Sequence, residues 1–124
     1  MKLTSLTPML RTWEFQKTIN FYTDILGLQV DAVDEASGWA SRHKDDLTIM
    51  LAAPNEHEGD IVPEFTGSLY FTTDDVDALW LQLKDKAEVC YPPENFEYGM
   101  REFAIYDNND YLLQFGQEYP DSSE

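Results

Sequence analysis

The chain has 124 residues, 24 of them acidic against 8 basic, for a formal net charge of -16. Hydrophobic residues at 43% and aromatics at 14% are enough for a packed core, which argues against a disordered chain. So few Lys and Arg cannot replace the counterions of a nucleic acid, and the net charge opposes docking on an anionic membrane, so neither partner is expected. One cysteine, Cys90, excludes an internal disulfide and a thiolate-rich zinc site. No apolar run reaches membrane-spanning length and residues 1–5 open no secretory signal, so a cytoplasmic protein is expected.

Residues 3–10 read as a short strand, with Pro8 hinting at an edge or irregularity. Phe15, Ile19, Tyr22 and Leu26 recur at steps of four, three and four, one apolar helix face. Thr12 or Glu14 can cap its start, and Gly27 stands where a left-handed residue ends a helix. Strands are predicted over 28–33, 39–43 and 47–53. Residues 54–66 carry Pro54, Gly59 and Pro63 with Glu56, Glu58, Asp60 and Glu64, the composition of a linker.

The order of elements then starts again. A strand is predicted over 67–73, and Asp74 or Asp75 can cap a helix whose face is Val76, Leu79, Trp80 and Leu83. A short strand over 88–91 is expected to break at Pro92-Pro93. Residues 100–106 and 111–116 form a hairpin around Asp107-Asn108-Asn109-Asp110. The sequence therefore predicts a first βαβββ module over 1–53, a linker over 54–66, a second βαβββ module over 67–117 and an acidic tail over 118–124. Each module is small for a core of its own, so pairing within the chain or with a second copy is expected.

Three segments carry a resemblance. Asn20-Phe21-Tyr22-Thr23-Asp24-Ile25-Leu26-Gly27-Leu28, Tyr70-Phe71-Thr72-Thr73-Asp74-Asp75-Val76-Asp77, and 99–107 continuing through Leu112-Leu113-Gln114-Phe115 resemble the vicinal oxygen chelate superfamily. That group includes glyoxalase I, bleomycin resistance proteins and extradiol dioxygenases. The resemblance implies an α+β fold: two βαβββ modules forming a curved, barrel-like mixed sheet with helices on the convex face. It also implies a homodimer, as in many short members.

Metal-dependent members hold a divalent ion through His, Glu or Gln on the first and last strands of each module. The matching positions fall near Thr7 and Met50, and at Ser68 and Gln114. Hydroxyls and a thioether are poor ligands for Zn²⁺, Fe²⁺ or Ni²⁺, and Gln114 is neutral where a Glu is usual. No metal and no cofactor are therefore expected.

The chain has two histidines, His43 and His57. His43 ends a strand and reads as a surface imidazole. His57 with Glu58 and Asp60 sits in the linker and reads as a solvated loop. No Ser, His and Asp set or Cys–His pair suggests nucleophilic catalysis. Cys90 reads as a buried, inert thiol, and Trp80 as core. Two readings of Glu102 stand: a cleft carboxylate sharing a face with Tyr106, or a rim group paired with Arg101 or a Lys. Trp39, on one face with Ser41 and His43, either stacks on a ligand or packs in the core or a dimer contact. Tyr70 and Thr72 share a face with Ser68 under the same two readings, and Trp13 is a candidate cover for a dimer seam.

The leading expectation is a metal-free binding protein similar to the bleomycin resistance proteins. It sequesters a planar drug-like ligand, cationic or neutral rather than anionic, without turnover. Its candidate site is Trp39, Met50, Ser68, Tyr70, Glu102, Tyr106 and Gln114, with no catalytic residue. The alternative is a metal-dependent lyase, isomerase or dioxygenase with an atypical metal site.

Overall fold

Alternating apolar residues and two amphipathic helices build two units, Met1–Pro63 and Glu64–Glu124. The structure is a computed structural model that describes residues 5–54, 64–65 and 67–119. In the first unit the order is β1 (Met9–Arg11), α1 (Phe15–Asn20), a π-helical turn (Phe21–Ile25), β2 (Gln29–Asp34), β3 (Trp39–Lys44) and β4 (Leu47–Ala52). The sheet order is β1-β4-β3-β2, with β1 parallel to β4 and the other pairs antiparallel.

The entry to α1 is held by Thr12, whose Oγ1 accepts from the Glu14 N–H at 2.9 Å; Glu14 itself makes no side-chain cap. The periodicity predicts one continuous α-helix, but the last turn widens, with Leu26 N–H donating to Phe21 O at 3.2 Å. The extra residue per turn brings Phe21 into the core beside Ile19, Tyr22 and Leu26. Arg42 is buried between this helix and β3, its Nε donating to Thr23 Oγ1 at 3.1 Å and its Nη1 to Ser41 O at 3.0 Å. Burial pulls its pKa below the ordinary value, against the opposing charge of Asp31.

The helix ends at Gly27, whose φ of 77° is left-handed. A β-branched residue there is strained, so Gly27→Val is expected to cost about 1–3 kcal/mol. Thermal denaturation checks this: an unchanged melting temperature would show that the backbone relaxes freely at this point.

The second unit repeats the order: β5 (Leu69–Thr72), α2 (Val76–Leu83), β6 (Glu88–Asn95), β7 (Met100–Tyr106) and β8 (Leu112–Glu118). The sheet order is β5-β8-β7-β6, with β5 parallel to β8. Asp75 caps α2, its Oδ1 accepting from the Ala78 N–H at 3.1 Å. Val76 and Leu83 are buried, and Trp80 meets Phe103 edge-on at 5.3 Å. Phe71, Phe115 and Phe103 form a stacked row beneath the helix, with centroids 4.9 and 5.1 Å apart.

Three boundaries differ most from expectation. The first strand, expected over 3–10, is only Met9–Arg11, with residues 5–8 outside any strand, since Pro8 lacks a ladder N–H. The strand predicted to stop at Pro92-Pro93 runs on as β6 to Asn95. It is an edge strand, and its register shifts between Tyr91 and Glu94, so the missing proline N–H groups fall in a bulge. Likewise β8 continues through Gln117 and Glu118, where Gln117 Oε1 accepts from Val76 N–H at 2.9 Å and ties the strand to the start of α2.

Each sheet is open, and neither closes into a barrel. Most of the expected linker, with His57, Glu58 and Asp60, and the end of the expected tail lie outside the described residues. Among the described residues no helix is long and apolar enough to cross a membrane.

Candidate functional site

Period-two alternation decides which side chains meet on the helix-free face of the second sheet. Phe103 packs against Trp80 of α2, so its neighbours Glu102 and Ala104 point the other way. The register sets Glu102 opposite Gly116, Ala104 opposite Gln114, and Gln114 opposite Tyr70. Tyr91 on β6 stands opposite Ala104. Ser68 precedes Tyr70 by two residues and shares its side.

These side chains converge on one carboxylate. Glu102 is 1% exposed. The Tyr70 hydroxyl donates to its Oε1 at 3.1 Å, and the Tyr98 hydroxyl donates to the same oxygen. The Tyr91 hydroxyl donates to Oε2, as does Gln114 Nε2 at 3.2 Å. Gln114 Nε2 also reaches Tyr91 Oη at 2.9 Å, and Gln114 Oε1 accepts from the Ser68 hydroxyl. Four donors match the four lone-pair directions of a carboxylate, so the charge of Glu102 is fully hydrogen-bonded although it is buried.

The tyrosines register that charge. Burial and then the bond to Glu102 push Tyr70 up to about 12. The bond to Glu102 comes first for Tyr98, also raised to about 12. Tyr91 is raised as well, first by burial and then by Glu102. All three hydroxyls stay protonated and donate inward at neutral pH.

Tyr98 reaches this face from the turn between β6 and β7. Gly99, at φ 86°, closes the turn, with Phe96 N–H donating to Met100 O at 2.8 Å. Phe96 stacks on Tyr98 at 5.5 Å and meets Tyr91 edge-on at 5.8 Å. The Tyr119 hydroxyl holds the Phe96 carbonyl at 2.8 Å.

Tyr70 lies across β8 to reach Glu102, and only a glycine leaves room beneath it. A Cβ built at Gly116 would stand 1.9 Å from Tyr70 Oη. Gly116→Ala is therefore expected to swing the Tyr70 ring away and break its bond to Glu102, costing roughly 0.5–2 kcal/mol. The check is the Tyr70 phenol titration in the variant: a pKa that stays near 12 would show that the ring keeps its place.

On the helix-free face of the first unit, Ser41 Oγ donates to Asp31 Oδ2 at 3.1 Å and His43 Nδ1 pairs with Asp31 Oδ1. His43, expected as a surface imidazole, is partly exposed and lies beside the Asp31 carboxylate. Half-buried Trp39 lies on the same strand face, and Met50 stands opposite Ser41 and Met9.

Of the candidate residues, the structure brings together Ser68, Tyr70, Glu102 and Gln114. Trp39 and Met50 belong to the other unit. Tyr106 shares the strand face of Glu102 but turns its hydroxyl to Cys90 Sγ at 3.3 Å. Cys90 is exposed, contrary to the buried thiol expected, because it lies on the edge strand. Glu102 does not pair with Arg101, whose Nε donates to Asp77 Oδ1 at 3.0 Å on the helix side. Tyr91, Phe96 and Tyr98 were not anticipated.

The four positions that the resemblance matches to metal ligands carry side chains that do not suit an ion. Thr7 and Met50 are weak donors, and Ser68 and Gln114 bond each other, with the Gln114 amide engaged by Tyr91 and Glu102. Among the described residues no group of three or more His, Cys, Asp or Glu could hold a metal.

A family model, the Glyoxalase/Bleomycin resistance protein/Dioxygenase superfamily, matches residues 5–115. The chain belongs to this superfamily. Similar solved structures include the bleomycin-binding protein of bleomycin-producing Streptomyces verticillus, complexed with copper(II)-bleomycin. It is 21% identical, with a TM-score of 0.69 over 93% of this chain and 96% of that one. A bleomycin resistance determinant encoded on the transposon Tn5 is 24% identical, with a TM-score of 0.73 over 95% and 100%. An antibiotic binding protein from Streptomyces sp. CB03234 is 21% identical, with a TM-score of 0.77 over 96% and 99%. At these identities the likeness is one of fold, the paired βαβββ arrangement of the superfamily. No sequence among curated proteins matches the chain.

Proposed function

We propose that this superfamily member binds a small organic molecule on the helix-free faces of its sheets and sequesters it without turnover. The carrying observation is the Glu102 cluster. A family metal position, Gln114, is committed to a hydrogen-bond network with Ser68, Tyr91 and Glu102, and aromatic rings stand around it. Such a face offers stacking surface and a negative field rather than a Lewis acid. The structural likeness to a bleomycin-binding protein and an antibiotic binding protein supports the same reading.

A net charge of -16 favours cationic or neutral ligands over anions. Attraction to a cation weakens as salt rises, since the Debye length is about 8 Å at physiological ionic strength. Trp39 and Met50 extend the candidate site on the first unit. A homodimer in the cytoplasm is part of the proposal, because each open sheet leaves edges and a face to cover. Sedimentation at micromolar concentration is expected to give twice the chain mass; a mass near 14.3 kDa would contradict pairing.

The test is calorimetric titration with bleomycin and with planar compounds of both charges, alongside metal analysis of the purified protein. Reversible binding with the ligand recovered unchanged is expected. Stoichiometric Zn, Ni, Mn or Fe, or a chemically altered ligand, would replace this reading with a metal-dependent lyase, isomerase or dioxygenase.

A further inference from the structure

We propose that the tyrosine cluster over Glu102 is a seat for an N-alkylated organic cation, a tertiary or quaternary ammonium, in preference to a primary ammonium or guanidinium. The inference rests on the binding role above and names the ligand chemistry of that same face.

The argument starts from what Glu102 can still offer. Its carboxylate is buried, and four donors from Tyr70, Tyr91, Tyr98 and Gln114 occupy its oxygens. A ligand N–H therefore finds no free acceptor on the carboxylate itself without displacing a phenol, and is left with the weaker, neutral phenol oxygens. A primary ammonium that leaves water for this face gives up three strong hydrogen bonds and regains fewer, from phenol oxygens alone. An alkylated ammonium has fewer or no N–H groups to satisfy. It carries its charge on methyl or methylene groups, which aromatic faces accept.

The negative charge remains even though its lone pairs are taken. Three phenols donating to one carboxylate keep the anion at the hydroxyl edge of their rings, and donation makes each ring more electron-rich. Both effects strengthen attraction of a cation to the ring faces. The rings are within reach of a ligand, Tyr70 being 43% and Tyr98 65% exposed, with Phe96 stacked behind Tyr98. Among the described residues no cationic side chain bonds to the cluster. Arg101, next in sequence to Glu102, is turned to the opposite side by Asp77 and Asn95.

The experiment titrates the whole chain with benzyltrimethylammonium, benzylammonium and the neutral isostere neopentylbenzene, at low and moderate salt. Wild type, Tyr98→Ala and Glu102→Gln are compared, with circular dichroism confirming the fold of each. The quaternary probe is expected to bind about 5–30-fold tighter than benzylammonium. Tyr98→Ala should weaken the quaternary probe roughly 3–10-fold, and Glu102→Gln by about 10-fold or more, a larger loss than the same variant shows with the neutral isostere.

Equal binding of the two ammonium probes, or no loss in either variant, overturns the proposal. Should Glu102→Gln fail to fold, the probe preference and Tyr98→Ala decide, because Tyr98 is an exposed turn residue. Bleomycin is titrated in parallel. Bleomycin binding without a quaternary preference would sink the cation seat and leave sequestration standing. If bleomycin and all probes fail to bind, both fall.

Discussion

Phe103→Ala is expected to lower the stability of the fold by about 3–5 kcal/mol. Phe103 is 0% exposed on β7, between β8 and β6 in the second sheet. It stacks on Phe115 at 5.1 Å and takes the edge of Trp80 at 5.3 Å, so truncation removes contacts with both a strand and α2. Its neighbours are themselves rigid rings, so the cavity has little means of collapse. Domains of this size are commonly stable by only about 5–15 kcal/mol, so the loss is a large share of the total. Urea denaturation measures it directly, as a fall in midpoint at unchanged slope. A change below about 1 kcal/mol would mean that the row of phenylalanines repacks around the gap. Glu102 is the next residue on the opposite face, so the same variant should also weaken ligand binding.

Local patterning made most of this architecture legible. The strict alternation of Arg101, Phe103 and Ile105 with Glu102, Ala104 and Tyr106 gave β7 with its bounds as observed. The spacing of Val76, Leu79, Trp80 and Leu83 gave α2 and its buried side, and Gly27 marked a helix end. Two features were hidden because tertiary context overrides local preference. The π-helical turn at Phe21–Ile25 keeps an apolar spacing that an α-helix also satisfies. Pro92-Pro93 is a strand breaker only where both ladder partners are needed; on an edge strand with a bulge the backbone passes through.

The site was legible to the same depth. Ser68, Tyr70, Glu102 and Gln114 could be placed on one face by counting in twos along their strands. Tyr91 lay within the expected strand over 88–91, but the register shift between Val89 and Tyr91 defeats counting in twos along β6. Tyr98 sits in the turn closed by Gly99, and no periodicity tells which way a turn side chain folds. Gly116 carried a usable signal. A glycine inside a strand often marks a close approach, and here the approaching group is the Tyr70 hydroxyl.

Glu102→Ala is expected to cost roughly 2–4 kcal/mol and to change how the tyrosines titrate. Hydrogen bonds to a charged group contribute about 1.5–3 kcal/mol each, but four do not add. Tyr70 and Tyr98 are partly exposed and can turn to water, and relief from burying the carboxylate offsets part of the loss. The half-buried Tyr91 hydroxyl and Gln114 amide account for most of what remains, since they lose an acceptor where water reaches less easily. The titration supplies a second signature. Tyr70 and Tyr98 are raised from an ordinary 10 to about 12, so the folded state holds their protons more tightly than the unfolded chain. The stability linked to them is complete below pH 10 and is lost as the pH rises through about 12. Without the carboxylate, Tyr98 loses the main cause of its shift and should titrate nearer 10, whereas Tyr70 keeps the part due to burial. The phenolate absorbance of wild type and variant, followed from neutral to alkaline pH, separates the two. An identical curve would mean that the hydroxyls find other acceptors and that Glu102 does not organise this face.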